Sequence, residues 1–341
     1  MKKITALLTA AVMTAALPAS GALGTAAAAE TGNSLVVLGD SIASGYGLEG
    51  YDAGANYSAP DSFANMLGDN FDLYYNYAVD GRTSGELLTA LEDESVAAAL
   101  ADADTVVVSI GGNDFLQPML AAVMNAAAEN QDVFDLLSGL AEGSSKSEAA
   151  ASGALSAISG DIEDYMDVLM ELMTAMTDAA DAVDISATVG NISGILGTIS
   201  DLAPESQIEI LTVYNPFEGV AGMEMFDTLA RTKLEELNSG IAAAAEENGA
   251  EVVDVNAAFA GHALEYTNIS SVDIHPNKEG HAVIYQLLLD NTGADLNTPA
   301  GEAPAPGGTK GSPDTGVEGI ALFAGIAAIA GAAAAASRKR R

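Results

Sequence analysis

The chain predicts an α/β fold built on a doubly wound parallel sheet, on three observations. Short apolar runs rich in β-branched residues recur along it, stretches of helical periodicity separate them, and two of the runs end on glycine followed by small polar residues. Strands alternating with helices lead to a parallel sheet covered on both faces. In such sheets ligands bind outside the carboxyl ends of the strands, so the residues that follow each run are the first place to look for chemistry.

The first run, Leu35 to Ile42, stops on Gly39-Asp40-Ser41 and puts Ser41 just beyond a buried strand. Asp61 to Leu67 has the polar start and apolar spacing of a short helix. A second strand spans Asp72 to Tyr77 and leads into Ala-Val-Asp-Gly-Arg-Thr-Ser at 78–84, where Ser84 is positioned to cap a helix running to Leu91. Thr105 to Ile110 is a third strand, ending on Gly111-Gly112-Asn113-Asp114. From Met119 to about Leu202 the pattern is helical, with a loop-like break at Glu142 to Ser147. Within it Ile162, Tyr165, Met166, Leu169, Leu172, Met173 and Met176 share one face. Such a stripe is either core or, being rich in methionine, an adaptable wall for an acyl chain. Ile208 to Tyr214 and Glu251 to Val255 are the last two strands, a helix from about Phe226 to Asn248 joins them, and Lys278 to Leu289 forms a final helix after Pro276.

The 341 residues include no cysteine, which excludes disulfides, thiolate nucleophiles and thiolate metal sites. Three histidines make a multi-histidine metal site a poor expectation, and no cofactor is expected. The formal net charge is -36. Without the six terminal cations (Lys2, Lys3, Arg338, Lys339, Arg340, Arg341) and Glu318, 6 Lys+Arg face 47 Asp+Glu, a net of -41. Such a surface repels phosphate backbones and anionic lipid, so nucleic acid is not an expected partner.

Acyl transfer needs a nucleophile, a base for its proton, and donors where charge develops on the carbonyl oxygen. Ser41 is the candidate nucleophile and His275, in Asp-Ile-His-Pro-Asn, the candidate base. The Asn113 side chain and the N–H groups of Gly81 and Ser41 are candidate oxyanion donors. Of the other histidines, His262 reads as a packing or loop residue and His281 lies on the last helix. Arg82, beside Gly81, is read as a surface residue in preference to a binder of an anionic or sugar substrate.

The set Gly39-Asp40-Ser41-Ile42, Gly81, Gly111-Gly112-Asn113-Asp114 and His275-Pro276 resembles the GDSL (SGNH) hydrolase family over roughly Ser34 to Thr292, less the helical stretch. The resemblance implies a three-layer αβα sandwich over a five-stranded parallel, flavodoxin-like sheet, an esterase or lipase activity without cofactor or metal, and catalytic roles at Ser41, Gly81, Asn113 and His275. In that family the triad acid lies three residues before the histidine, where this chain has Val272. Asp273, two residues before, is the nearest carboxylate. Failing it, a backbone carbonyl would orient the ring and leave a Ser-His dyad.

The domain expectation follows. Residues 1–29, with Lys2, Lys3, an apolar run and an alanine cluster, read as a secretory signal peptide cleaved after Ala28 or Ala29. Residues 33–292 form the hydrolase domain, with a helical insert at about 118–202. Residues 293–312 are a Gly- and Pro-rich spacer. Residues 313–341 resemble an LPXTG-type sorting signal: Pro313-Asp314-Thr315-Gly316, an apolar stretch from Ile320 to Ala336 and a basic tail, with Ser312 in the place of leucine. A sortase would then cleave between Thr315 and Gly316 and join Thr315 to peptidoglycan; otherwise the apolar stretch is a membrane anchor. The expected protein is a secreted, surface-tethered serine esterase acting on lipid acyl or O-acetyl groups. An acyltransferase to a glycan and a non-catalytic binding protein on the same fold are the alternatives.

Overall fold

A computed structural model describes residues 33–52, 59–133, 162–221, 223–271 and 273–292. Five strands, β1 (Ser34–Gly39), β2 (Leu73–Asn76), β3 (Thr105–Ser109), β4 (Gln207–Leu211) and β5 (Glu251–Val253), form one all-parallel sheet in the order β2-β1-β3-β4-β5. The order reverses at β1, so β1 and β3, which diverge into different crossovers, open a crevice at their carboxyl ends.

Among the described residues the helices are α1 (Ser41–Ser44), α2 (Phe63–Gly68), α3 (Ser84–Ala90), α4 (Glu94–Ala101), α5 (Gly112–Glu129), α6 (Ile162–Asp181), α7 (Ile185–Leu202), α8 (Glu224–Asn248), α9 (Val255–Phe259), α10 (Ala263–Tyr266) and α11 (Lys278–Thr292). They form two layers because each strand alternates its side chains between faces. Val36, Leu38, Val106, Val108, Ile208 and Ile210 meet α3 to α8 in the larger core. Leu35, Val37, Val107, Leu211 and Val253 meet Phe63 and Leu67 of α2, Phe259 of α9, and Ile284 and Leu288 of α11 in the smaller one. The result is a three-layer αβα sandwich.

Several local expectations are corrected. The cap of α3 is Thr83, not Ser84: Thr83 Oγ1 accepts from the Glu86 N–H while Glu86 returns a bond to the Thr83 N–H, a reciprocal capping box. β4 ends at Leu211 rather than Tyr214, since the Val213 N–H turns to Asn238 Oδ1 instead of a neighbouring strand. β5 ends at Val253, and Val255 opens α9 behind the Asp254 cap. The helical stretch starts at Gly112, seven residues before Met119, because Gly111 (φ 112°) turns the chain straight from β3 into α5. Helices α1, α4, α9 and α10 have no counterpart in the sequence reading.

Of the methionine stripe, Leu172 and Met176 are fully buried in the larger core and Met173 packs against it, so this part is core and not an acyl wall. The side chains of Ile162, Tyr165, Met166 and Leu169, the Glu142 to Ser147 break, and residues 1–29 and 293–341 lie outside the described residues. No single described helix is long and apolar enough to cross a membrane. A pair bent by 49°, Met170–Asp181 with Ile185–Leu202, passes together; Leu172, Met176, Ile192, Ile195, Leu196 and Ile199 of it are buried in the larger core, while Met170 is exposed.

Candidate active site

Ser41 stands at the carboxyl end of β1 and begins α1. The chain can turn there because Gly39 has no side chain: a Cβ would lie 2.3 Å from the Ser109 carbonyl oxygen, where β1 and β3 run out together. The Asp40 N–H donates to that same carbonyl at 3.2 Å, and its carboxylate caps α1 by accepting from the Ile42 N–H at 3.0 Å. The serine side chain is thereby held at the crevice while its residue is 7% exposed.

His275 comes from the other end of the chain. Ser41 Oγ and His275 Nε2 are 2.9 Å apart, across 234 residues of sequence. His275 Nδ1 and Asp273 Oδ1 are 2.5 Å apart, and the same Oδ1 accepts from the His275 backbone N–H at 3.0 Å. The two-residue spacing between acid and histidine thus works as a local turn in which one carboxylate oxygen takes both nitrogens. With a carboxylate at Nδ1, the neutral ring carries its proton there and presents a bare Nε2 to the serine.

The loop is pinned on several sides. The Asn268 N–H donates to the His275 carbonyl at 2.9 Å, Tyr214 OH donates to the Ile274 carbonyl at 2.7 Å, and Thr267 pairs with Pro276 in an antiparallel bridge. The Tyr46 ring lies against the imidazole with centroids 4.6 Å apart. Burial works upward on the Asp273 carboxyl, but the hydrogen bonds and charge of His275, together with the Asn268 side chain, outweigh it and hold it below the ordinary carboxylate range.

Gly81 occupies the third position of a β-turn, Val79 to Arg82, closed by a 3.1 Å bond from the Arg82 N–H to the Val79 carbonyl. Its φ of 72° is the conformation a type II turn requires there. The turn sits beside the nucleophile, because the Val79 N–H donates to the Gly39 carbonyl at 3.0 Å and Asp80 accepts from Ser44 Oγ of α1 at 2.6 Å and from the Tyr51 hydroxyl. Asn113 Nδ2 joins the two parts, donating to Arg82 O at 3.1 Å and to Asp40 Oδ2 at 3.3 Å. Neither the Ser41 nor the Gly81 N–H has a hydrogen-bond partner among the described residues. Burial pushes the Asp40 carboxyl up to about 7, against the bond from Ile42 and the charge of His275.

The other singled-out residues fall elsewhere. Arg82, read as a surface residue, is half-buried and donates to the Tyr77 carbonyl at 2.7 Å. His262 is exposed and pairs with Glu265. His281 is fully buried, stacked on Phe63, accepting from the Phe63 N–H at 3.2 Å through Nδ1. Among the described residues no group of three His, Asp or Glu is placed to hold a metal ion. Sequence reasoning missed Tyr46, Asp80, Gln117 and Asn268, and no spacing in the sequence signals any of them.

Residues 37–283 match the GDSL-like Lipase/Acylhydrolase family. The chain belongs to that family. It is accordingly a carboxylic ester hydrolase. Among solved structures, phospholipase A1 from Streptomyces albidoflavus is similar with a TM-score of 0.51 and 20% identity over 77% of this chain and 100% of that one, which shows the shared fold. An extracellular lipase from Streptomyces rimosus (TM-score 0.48, 20% identity, 77% and 100% covered) and an acetylxylan esterase from Geobacillus stearothermophilus (0.46, 16%, 77% and 95%) are further matches. No curated protein matches the sequence.

Proposed function

We propose that this hydrolase cleaves esters through an acyl-Ser41 intermediate. The observation that carries the reading is the line Asp273 Oδ1, His275 Nδ1, His275 Nε2, Ser41 Oγ, with its contacts at 2.5 and 2.9 Å. Ser41 Oγ attacks the ester carbonyl and its proton passes to His275 Nε2. Asp273 keeps the ring in the correct tautomer and stabilises the imidazolium that forms. His275 then gives its proton to the departing alkoxide, takes one from the water that attacks the acyl carbonyl, and returns it to Ser41 Oγ as the acid leaves.

The oxyanion is received by the N–H groups of Ser41 and Gly81 and by Asn113 Nδ2. Both hydrogens of the Asn113 amide already have protein acceptors, and the longer bond, to Asp40, is the one that yields to the oxyanion. Purified enzyme and Ser41→Ala are compared on short-chain nitrophenyl esters. The reading expects turnover in the variant to fall by about 10³-fold or more, and equal turnover refutes it.

The acyl-chain length has no support from the described part of the methionine stripe, which is core. A profile over acyl lengths separates O-acetyl from long-chain substrates. Product analysis with sugar acceptors tests transfer to a glycan. We also infer secretion and surface tethering, through sortase joining at Thr315 or through the apolar stretch from Ile320 to Ala336; the support is the sequence of the two termini. Release by wall-digesting enzymes of a form ending at Thr315 favours the wall linkage, and release of full-length protein by detergent alone rules it out.

A further inference from the structure

One turn of α5 grips the loop that carries Gly81. Gln117 Nε2 donates to the Gly81 carbonyl at 2.5 Å, and Asn113 Nδ2 donates to the next carbonyl, that of Arg82, at 3.1 Å. Asp114 accepts from the Ser84 N–H at 2.8 Å and from Ser84 Oγ at 2.5 Å. The far side of Ser84 is reached by α7, where Asn191 Nδ2 donates to Ser84 Oγ at 3.0 Å. Asn113 and Gln117 are one helical turn apart, so they address adjacent carbonyls from one face.

The loop needs such a grip. A glycine at positive φ loses little by rotating, and type I and type II turns differ mainly by a flip of their central peptide, which here carries the Gly81 N–H. On the amino side Asp80 is anchored by Ser44 and Tyr51. On the carboxyl side Gln117 is the anchor nearest to Gly81, followed by Asn113 on Arg82 and Asp114 on Ser84. Pro118, the following residue, cannot supply the N–H that would bond the Asp114 carbonyl, so this turn of α5 is held less by its own ladder than by these side-chain bonds.

Resting on the acyl-serine reading, we propose that Gln117 is a positioning residue: by holding the Gly81–Arg82 peptide through the Gly81 carbonyl it restrains rotation at Gly81, and so keeps the preceding Asp80–Gly81 peptide with its N–H toward the developing oxyanion. Asn191 braces the same loop from the helical insert through Ser84. Gln117 touches no reacting atom, and its effect is felt only where charge develops on the substrate oxygen.

The test is Gln117→Met, which keeps length and bulk but donates nothing, and Gln117→Glu, which puts an acceptor against the Gly81 carbonyl. Three quantities are read: kcat and KM on a nitrophenyl ester, the rate of labelling by a fluorophosphonate, whose phosphoryl oxygen uses the same donors, and the melting temperature. The proposal expects kcat and labelling to fall together, by about 10-fold in Gln117→Met and further in Gln117→Glu, with KM within twofold; loss of one complete oxyanion donor costs about 10² to 10³. Wild-type kcat and labelling in Gln117→Met overturn it. So does a fall in kcat matched by a fall in melting temperature with labelling unchanged, which marks a structural role. Ser41→Ala, run alongside, separates the two claims: its failure to label upholds the acyl-serine reading whatever the Gln117 variants do.

Discussion

Asp273 reaches His275 from two residues away, and one oxygen accepts from both the ring and the backbone of the histidine. No other acceptor for Nδ1 is present among the described residues, so the carboxylate, not a backbone carbonyl, orients the ring. Asp273→Asn is the sharper substitution, since an amide can offer Nδ1 a donor and favour the wrong tautomer. Its kcat on a nitrophenyl ester is expected to fall by about 10³ to 10⁴. A loss under threefold would mean that a Ser-His dyad suffices.

At the scale of elements, the histidine loop depends on how closely α11 approaches it. A Cβ on Gly280 would lie 2.1 Å from the Tyr266 carbonyl oxygen, and Tyr266 O also accepts from the Asn277 N–H at 3.0 Å. Gly280→Ala therefore pushes the start of α11 from the loop that ends on His275, and urea unfolding is expected to show a loss of about 1–3 kcal/mol. The strands themselves were legible, β1 and β3 above all, because β-branched runs closed by glycine have few other uses, but strand ends were not. Val213 and Tyr214 continue the apolar run of β4 while their polar groups go to Asn238 and to the Ile274 carbonyl, partners that only the folded chain supplies. The four residues of α1 are too few to show a period, and Gly111-Gly112 looks the same whether a loop or a helix follows. Ser41, Gly81, Asn113 and His275 stand in recognisable strings. Gln117, Tyr46 and Asn268 matter through contacts with residues 36, 229 and 5 positions away, and the spacings carry no such signal.

For the whole molecule, the carboxylate excess reaches into the interior. Glu209 on β4 is fully buried, Oε1 accepts from Gln207 at 3.0 Å, and Oε2 has no partner among the described residues. Burial, with repulsion from Glu251, pushes its carboxyl up to about 8 from 4.5. A folded value above the unfolded one means the native state holds the proton more tightly, so stability falls as pH rises from about 4.5 to about 8. Glu209→Gln is expected to match the wild-type melting temperature near pH 4 and to exceed it increasingly up to pH 8, by a free energy on the order of a few kcal/mol. Parallel melting curves for the two proteins over that range would contradict a buried, neutral Glu209.

The covalent state of Ser41 during turnover tests the account most directly. Mass spectrometry of enzyme quenched in acid while hydrolysing a nitrophenyl ester should find a population heavier by one acyl group, with the adduct on the peptide that holds Ser41 and absent from Ser41→Ala. An enzyme that turns over with no adduct on that peptide, or an adduct that persists in Ser41→Ala, would contradict it.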